Sequence, residues 1–117
     1  MKKTNKLYLE QFLERIERLE TILSKMNREQ FLIEPINQDA VIRNLELLGE
    51  ISKRFSEEYK NDVSEIPWVK IQGMRNKLIH EYDGINLETV WLAASEFVPV
   101  LKPIIKHQLT TIDSTKH

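Results

Sequence analysis

The amino-acid sequence predicts an all-α fold, an up-and-down bundle of about four main helices plus a short helical turn. Apolar residues recur at intervals of three and four over long stretches, as they do on the buried face of a helix. No stretch alternates apolar and polar residues for long enough to predict a strand. The long periodic stretches are separated by short segments, which is typical of helices that pack antiparallel to their neighbours.

The first predicted helix spans residues 5 to 26, where glutamates and arginines separate the apolar positions. Asn27 can cap a short helical turn after it, because Gln30 follows three residues later and completes a capping box. Pro35 is expected to end that turn, since the residue before a proline avoids helical geometry. The apolar side of the first helix consists of Leu9, Phe12, Leu13, Ile16, Leu19, Ile22, Leu23 and Met26.

The second predicted helix runs from about Asp39 to Tyr59 and contains a glycine. Gly49 costs a helix about 1 kcal/mol relative to alanine. Its presence therefore indicates that another part of the structure approaches closely. The polar run at 57–65, EEYKNDVSE, predicts a loop.

The third and fourth predicted helices are recognised by their first residues. Pro67 suits the first turn of a helix over residues 67 to 80, where a missing N–H costs nothing. Asp83 and Gly84 predict a turn after that helix. Asn86 then caps the last helix.

The last predicted helix has Glu88 in its first turn and two prolines inside it. Pro99 and Pro103 are expected to kink this helix or to end its regular part early. A single domain is therefore predicted over residues 1–108. Residues 109–117 show no periodicity and are expected to form a flexible C-terminal tail.

Composition limits the classes of function. The 117 residues fit one domain, and 41% hydrophobic with 30% charged residues is ordinary for a globular protein. A net charge of −1 gives no overall positive field for nucleic acid or for a membrane, so phosphate binding must be local. The absence of cysteine excludes disulfides, thiolate metal sites and cysteine nucleophiles. With no signal-peptide h-region and no apolar run that could span a membrane, a cytoplasmic protein is expected.

Residues 73–84, GMRNKLIHEYDG, place polar side chains of several kinds in an apolar segment. On the third predicted helix Arg75 falls among the core-facing positions, and we expect it either to extend its charged end to solvent or to pair with an acid such as Glu50. Asn76 and His80 lie four residues apart on the opposite face. The core-facing positions are Trp68, Ile71, Met74, Leu78 and Ile79, and the opposite positions are Val69, Gly73, Asn76 and His80.

The opposite face of this helix suits a two-fold contact. Because Gly73 is small and Val69 is apolar, a second copy of the chain can bring the same face close, which places two histidines around one cleft. Arg75 and His80 are about 140° apart around the helix axis, so one regular helix does not bring them together. The site is therefore expected to be assembled from two chains, or by a bend before His80.

The residue types in this segment together resemble those that a metal-free ribonuclease uses. His80 can move protons near neutral pH, Arg75 can hold a phosphate through two parallel bonds, and Asn76 can orient either. Simpler interpretations stay open, because a histidine near a helix end also serves as a cap or a surface residue, and Tyr82 can be a packing residue. No metal site is predicted, since the three histidines share no ligand spacing.

Several motifs together resemble those of one family. The run RNKLIHEY reads Arg75, four residues, His80, one residue and Tyr82, which resembles the R-x4-H-x-Y signature of the HepT toxins in the HEPN ribonuclease superfamily. Ordered anchors that resemble the same family cover about residues 8 to 105, and they make the match more specific than the short motif alone. These anchors are LGE at 48–50, IPW at 66–68, GMRN at 73–76 and LETVW at 87–91.

The resemblance implies a HEPN-like bundle that forms a homodimer and cuts RNA as the toxin of a toxin–antitoxin system. It also implies that Arg75 and His80 are catalytic, that Asn76 supports them, and that Tyr82 is the site of modification. The implied partner is a minimal nucleotidyltransferase antitoxin that uses ATP and Mg²⁺ to transfer AMP to this tyrosine. The toxin itself is expected to need no cofactor or metal.

RNA contact would be local, through Lys70, Arg75 and Lys77, doubled by dimerisation. Two other functions stay open. One is a non-catalytic HEPN subunit that acts as a partner or substrate-binding module of a nucleotidyltransferase. The other is a helical dimer with a structural role only, in which Arg75 pairs with an acid and His80 caps its helix.

Overall fold

This computed structural model describes residues 2–81 and 84–114. These ranges contain seven α-helices and one π-helical turn. No strand occurs within those two ranges, so the all-α prediction is confirmed. In chain order the elements are α1 Lys2–Leu23, α2 Arg28–Ile33, α3 Pro35–Ser52, α4 Glu57–Asp62, α5 Trp68–His80, α6 Leu87–Leu92, the π-helical turn Ala93–Phe97, and α7 Val98–Ser114.

The four long helices α1, α3, α5 and α7 form the bundle. α1 packs between α3 and α7, and α3 also packs against α5. The position of α5 is therefore set mainly by its contact with α3. Fully buried side chains from all four helices and from α2 make the core, and they include Phe12, Ile16, Phe31, Val41, Leu45, Leu48, Ile71, Leu101 and Ile105.

The short helix α2 begins with the predicted capping box. The N–H of Gln30 donates to Asn27 Oδ1, and the N–H of Asn27 donates to Gln30 Oε1, both at 2.9 Å. These two bonds satisfy donors that have no partner within the helix. α2 ends before Pro35, as predicted, and the same proline occupies the first turn of α3.

The prediction of one long helix from Asp39 to Tyr59, followed by a loop at 57–65, was wrong. α3 ends at Ser52, and residues 57–62 of the predicted loop form α4. The reason is a local cap, because Ser56 accepts a hydrogen bond from the N–H of Tyr59 at 3.1 Å. Two glutamates in the first turn of α4 also favour helix, since negative charge stabilises a helix N-terminus.

The prolines of the last helix do not end it. α6, the π-helical turn and α7 follow one another from residue 87 to residue 114. The N–H of Val98 donates to the carbonyl of Ala93, five residues back, directly before Pro99. A π-helical turn of this kind accommodates a break in the regular hydrogen-bond ladder, and α7 continues through Pro103. The helix itself therefore does not end early, but its regular α-helical part is interrupted before Pro99, by the π-helical turn.

The expected flexible tail is helical as far as Ser114. Ile112 is only 8% exposed, so it extends the apolar side of α7. The hydroxyls of Thr110 and Thr111 donate to carbonyls four residues earlier, so both side chains bond within the helix. None of the helices in the described ranges is long and apolar enough to cross a membrane.

Candidate functional site

Helix α5 carries most of the predicted site and presents two different faces. Ile71 and Leu78 are buried, and Trp68 and Met74 are partly buried against the core, as predicted. Ile79, which was predicted to face the core, is 39% exposed because it lies at the edge of the buried arc. The opposite face is exposed, and it consists of Val69, Gly73, Asn76 and His80.

Arg75 lies directly against Gly49 of α3. A Cβ placed on Gly49 would lie 2.5 Å from Cγ of Arg75 and 3.0 Å from its Cδ, closer than real side chains approach. The glycine therefore lets the aliphatic part of Arg75 pack on the backbone of α3. This confirms the prediction that a glycine inside the second long helix indicates close approach, and it identifies Arg75 as the group that approaches.

The guanidinium of Arg75 is not neutralised by any described carboxylate. Its Nη1 donates to the neutral Oδ1 of Asn76 at 3.2 Å, and its Nε is buried with no hydrogen-bond partner among the described residues. No ion pair joins Arg75 to Glu50, so that predicted pairing was wrong. The reason is angular, because Gly49 faces α5 and the next residue points about 100° away around α3.

His80 is the last residue of α5 and is exposed. The helix is continuous up to it, so the alternative of a bend before His80 was wrong. The C-cap position belongs to Glu81, whose N–H donates to the carbonyl of Lys77. Arg75 and His80 are therefore separated by about 7.5 Å along the axis and about 140° around it. Within one chain the structure brings Arg75 and Asn76 together but does not bring His80 to them.

The predicted modification site lies outside the described residues. Tyr82, together with Asp83, follows directly after the last turn of α5, and the structure describes the chain again from Gly84. The predicted turn at Asp83 and Gly84 is likewise described only from Gly84 onward.

A wide groove runs beside the exposed face of α5. Its volume is about 1190 Å³, and it separates α5 from α6 and the π-helical turn. The groove was not predicted, because periodicity shows which residues are apolar but not where two helices fail to meet. Its lining includes Gly73, Met74, Lys77, Thr89, Ala93 and Phe97.

The two lysines predicted to contact RNA differ in their surroundings. Lys70 places its ammonium 4.6 Å from the centre of the Phe97 ring, a cation–π contact across the groove. Lys77 is exposed and also lines the groove. Nothing in the sequence indicated that Phe97 faces a groove, because its spacing shows only that it belongs to an apolar helical face.

The described side chains include no group of three or more histidines, aspartates or glutamates that could hold a metal ion.

Comparison with known proteins assigns the chain to a family. Residues 12–108 match the model of the family described as Ribonuclease HepT-like. The chain belongs to the HepT-like ribonuclease family. The resemblance to this family seen in the sequence is thereby confirmed, and membership places the chain among the HepT-like ribonucleases.

Three relatives illustrate the extent of the similarity to HepT-like proteins. A probable ribonuclease HepT of Thermococcus cleftensis is 41% identical over 102 residues, which are 87% of this chain and 93% of that protein. A candidate RNase of Caldanaerobacter subterraneus subsp. tengcongensis is 36% identical over 107 residues, which are 92% and 96% of the two chains. A gamma-glutamylcyclotransferase and candidate RNase of Methanocaldococcus jannaschii is 33% identical over the whole of this chain and 53% of that protein. No solved structure matches the chain.

Proposed function

We propose that this HepT-like chain is a metal-independent endoribonuclease that acts as the toxin of a toxin–antitoxin pair. The observation that carries the proposal is the state of Arg75. The aliphatic part of its side chain packs on Gly49, and no described acid neutralises its guanidinium. A positive group held in this way is suited to stabilise the charge that develops on a phosphoryl group.

In the proposed reaction the 2′-OH of RNA attacks the adjacent phosphate, and the 5′-oxygen of the next nucleotide leaves. The products are a 2′,3′-cyclic phosphate end and a free 5′-hydroxyl end. His80 accepts the proton from the 2′-OH or donates one to the leaving oxygen. Arg75 stabilises the non-bridging oxygens, and Asn76 orients the guanidinium through the bond between Nη1 and Oδ1.

A homodimer is proposed because one chain holds Arg75 and His80 on different sides of α5. The exposed face with Val69 and Gly73 suits the contact, since Val69 is 87% exposed and a Cβ on Gly73 would meet nothing within 4 Å in its own chain. A second α5 that approaches this face would bring its own His80 toward Asn76, to which the guanidinium of the first chain's Arg75 donates. Leu92 and Val100, 49% and 60% exposed, add apolar surface beside the same groove.

Control of the toxin is proposed to occur at Tyr82. A cognate nucleotidyltransferase antitoxin would transfer AMP from ATP to the tyrosine hydroxyl with release of pyrophosphate, using Mg²⁺ of its own. The added phosphate would repel RNA phosphates, and the adenosine would fill the cleft. This proposal rests on the match of Tyr82 to the family motif, two residues after His80.

The nuclease proposal is tested by incubating unmodified protein with RNA in EDTA, alongside Arg75→Ala and His80→Ala. Arg54→Ala and His107→Ala are matched controls, since both residues are exposed and lie on other helices or loops. Cleavage is expected from wild type and both controls, and a loss of roughly 100-fold or more from the two site variants. Equal cleavage by all five proteins would exclude the proposed site. If the wild-type chain cleaves no RNA but still forms a stable complex with a nucleotidyltransferase, the non-catalytic partner role is favoured.

The shared site is tested by mixing the two inactive variants. In a mixed dimer of Arg75→Ala and His80→Ala chains, one composite site has lost both residues and the other retains both. Subunit exchange is therefore expected to restore part of the wild-type activity. A mixture that stays inactive after proven exchange would show that each site lies within one chain.

The modification is tested by intact mass after coexpression with a cognate nucleotidyltransferase. A gain in AMP units that maps to Tyr82, and that Tyr82→Phe abolishes, is expected. An active transferase that adds no mass to the wild-type chain would remove Tyr82 from the proposed mechanism.

A further inference from the structure

Two residue pairs join α3 to α5 at matching positions. Gly49 lies against Arg75, and Ser52, three residues later on α3, meets Gln72, three residues earlier on α5. Residues three apart share a face of a helix. Both pairs therefore belong to one antiparallel helix interface, which we call the α3–α5 joint and define as Gly49, Ser52, Gln72 and Arg75.

The polar pair of the joint is buried on the α3 side. Ser52 has no exposed surface, and its hydroxyl donates to the carbonyl of Gly49 at 2.7 Å. The same hydroxyl accepts a hydrogen bond from Nε2 of Gln72 at 2.9 Å. A continuous chain of hydrogen bonds thus runs from α5 through Ser52 to the carbonyl of Gly49, the residue on which Arg75 rests. Directional bonds of this kind fix how far one helix slides along another.

Arg75 needs such a support because no described acid holds it. An arginine is commonly fixed by a bidentate carboxylate, which would also cancel the charge that a phosphate must meet. Here the side chain is fixed through its aliphatic part, since Cβ, Cγ and Cδ of Arg75 are the atoms nearest to Gly49. The guanidinium keeps its charge and donates only to the neutral Asn76 among described side chains.

We propose that Gly49, Ser52 and Gln72 are positioning residues for Arg75. Gly49 sets how closely α5 approaches α3, and the bond between Gln72 and Ser52 sets the register of α5 along it. Together they place the guanidinium where it meets the reacting phosphate. This inference rests on the proposed function, in which Arg75 acts on the phosphoryl group.

The first experiment compares kcat and KM for RNA cleavage in Gly49→Ala, Ser52→Ala and Gln72→Ala. A methyl group on Gly49 forces Arg75 and α5 to move, and a misplacement of about 1 Å can cost about 100-fold in rate. We expect kcat to fall about 10-fold to 100-fold in Gly49→Ala and less in the other two, with KM within about twofold of wild type.

The matched control is Val41→Ala, a fully buried position on the same helix away from the joint. It loses core packing and therefore stability, but it leaves Arg75 in place. Assays are run where circular dichroism shows each variant to be folded. A kcat for folded Gly49→Ala equal to that of Val41→Ala would overturn the positioning role, and if Gly49→Ala does not fold, the same comparison is made with Ser52→Ala and Gln72→Ala.

A double variant shows whether the joint acts through Arg75. If it does, adding Ser52→Ala to Arg75→Ala lowers the residual single-turnover rate no further, whereas independent effects multiply. Multiplying losses would overturn the proposal. A wild-type kcat in Arg75→Ala would instead overturn the proposed function, so the two failures are distinguishable.

Discussion

Nη1 of Arg75 donates to Oδ1 of Asn76 at 3.2 Å, which joins two of the site side chains within a single turn of α5. The acceptor is a neutral amide, so the bond orients the guanidinium without removing its charge. An aspartate at position 76 would have nearly the same shape but would form an ion pair.

We therefore expect Asn76→Asp to lower kcat by roughly 10-fold or more, because the carboxylate neutralises Arg75 and repels the RNA phosphate. Asn76→Ala, which removes the bond without adding charge, is the matched control and should lose less. Initial rates on a defined oligoribonucleotide measure both. A rate for the aspartate variant equal to or above that of the alanine variant would contradict this role of Asn76.

The exposed face of α5 leads to a prediction about oligomeric state. Val69 is 87% exposed in the chain, and Val69→Asp should prevent dimerisation because a desolvated carboxylate at an interface is costly. Ile36, 83% exposed at the start of α3, provides the control variant Ile36→Asp, which should stay dimeric. Sedimentation velocity measures the result, together with RNA cleavage. A dimer of full activity in Val69→Asp would place the interface elsewhere.

The position of Lys77 in the groove predicts a change in the salt dependence of RNA binding. Each phosphate contact to single-stranded nucleic acid contributes about −0.7 to the slope of log K against log salt concentration. Lys77→Gln should make the slope less steep by about this amount per contact. Lys25→Gln, an exposed lysine after α1, should leave it unchanged. Fluorescence anisotropy in an Arg75→Ala background separates binding from cleavage, and equal slopes for all proteins would exclude Lys77 as an RNA contact.

Tyr59 gives a prediction about stability at high pH. Burial, together with the negative charge of Glu65, raises the pKa of the Tyr59 hydroxyl from its ordinary 10.0 to about 12. Between about pH 10 and 12 the unfolded chain loses this proton while the folded chain keeps it. The free energy of unfolding is therefore not reduced by Tyr59 below about pH 10, and it falls as the pH rises toward 12.

Tyr59→Phe should therefore lose less stability than wild type between pH 10 and pH 12. Below pH 10 the variant should be about as stable as wild type or slightly more stable, because the Tyr59 hydroxyl is buried with no partner in the described part of the chain. The ring packing with Phe55 and Trp68 is retained by phenylalanine. Urea denaturation at pH 8 and pH 11 measures the difference, and a parallel decline in the two proteins would show that Tyr59 does not cause it.

The sequence was most informative where a signal is local. The capping box of Asn27 and Gln30, the cap at Asn86 and the buried side of α1 follow from residues within one or two turns of each other, and the structure has all three. The boundary after α3 was missed although its signal is also local. Ser56 caps α4, but the aromatic Tyr59 fitted the preceding apolar period equally well.

By itself, the sequence determined that the chain is all-helical, which face of each long helix is apolar, and which side chains carry the family motif. Those properties depend on residue type and spacing along one helix. Only the tertiary structure decided that Arg75 rests on Gly49, that no described acid neutralises it, and that α5 stays helical as far as His80. Such relationships depend on which helix covers a given face and how closely it approaches, and they are set by packing between residues far apart in sequence, such as 49 and 75.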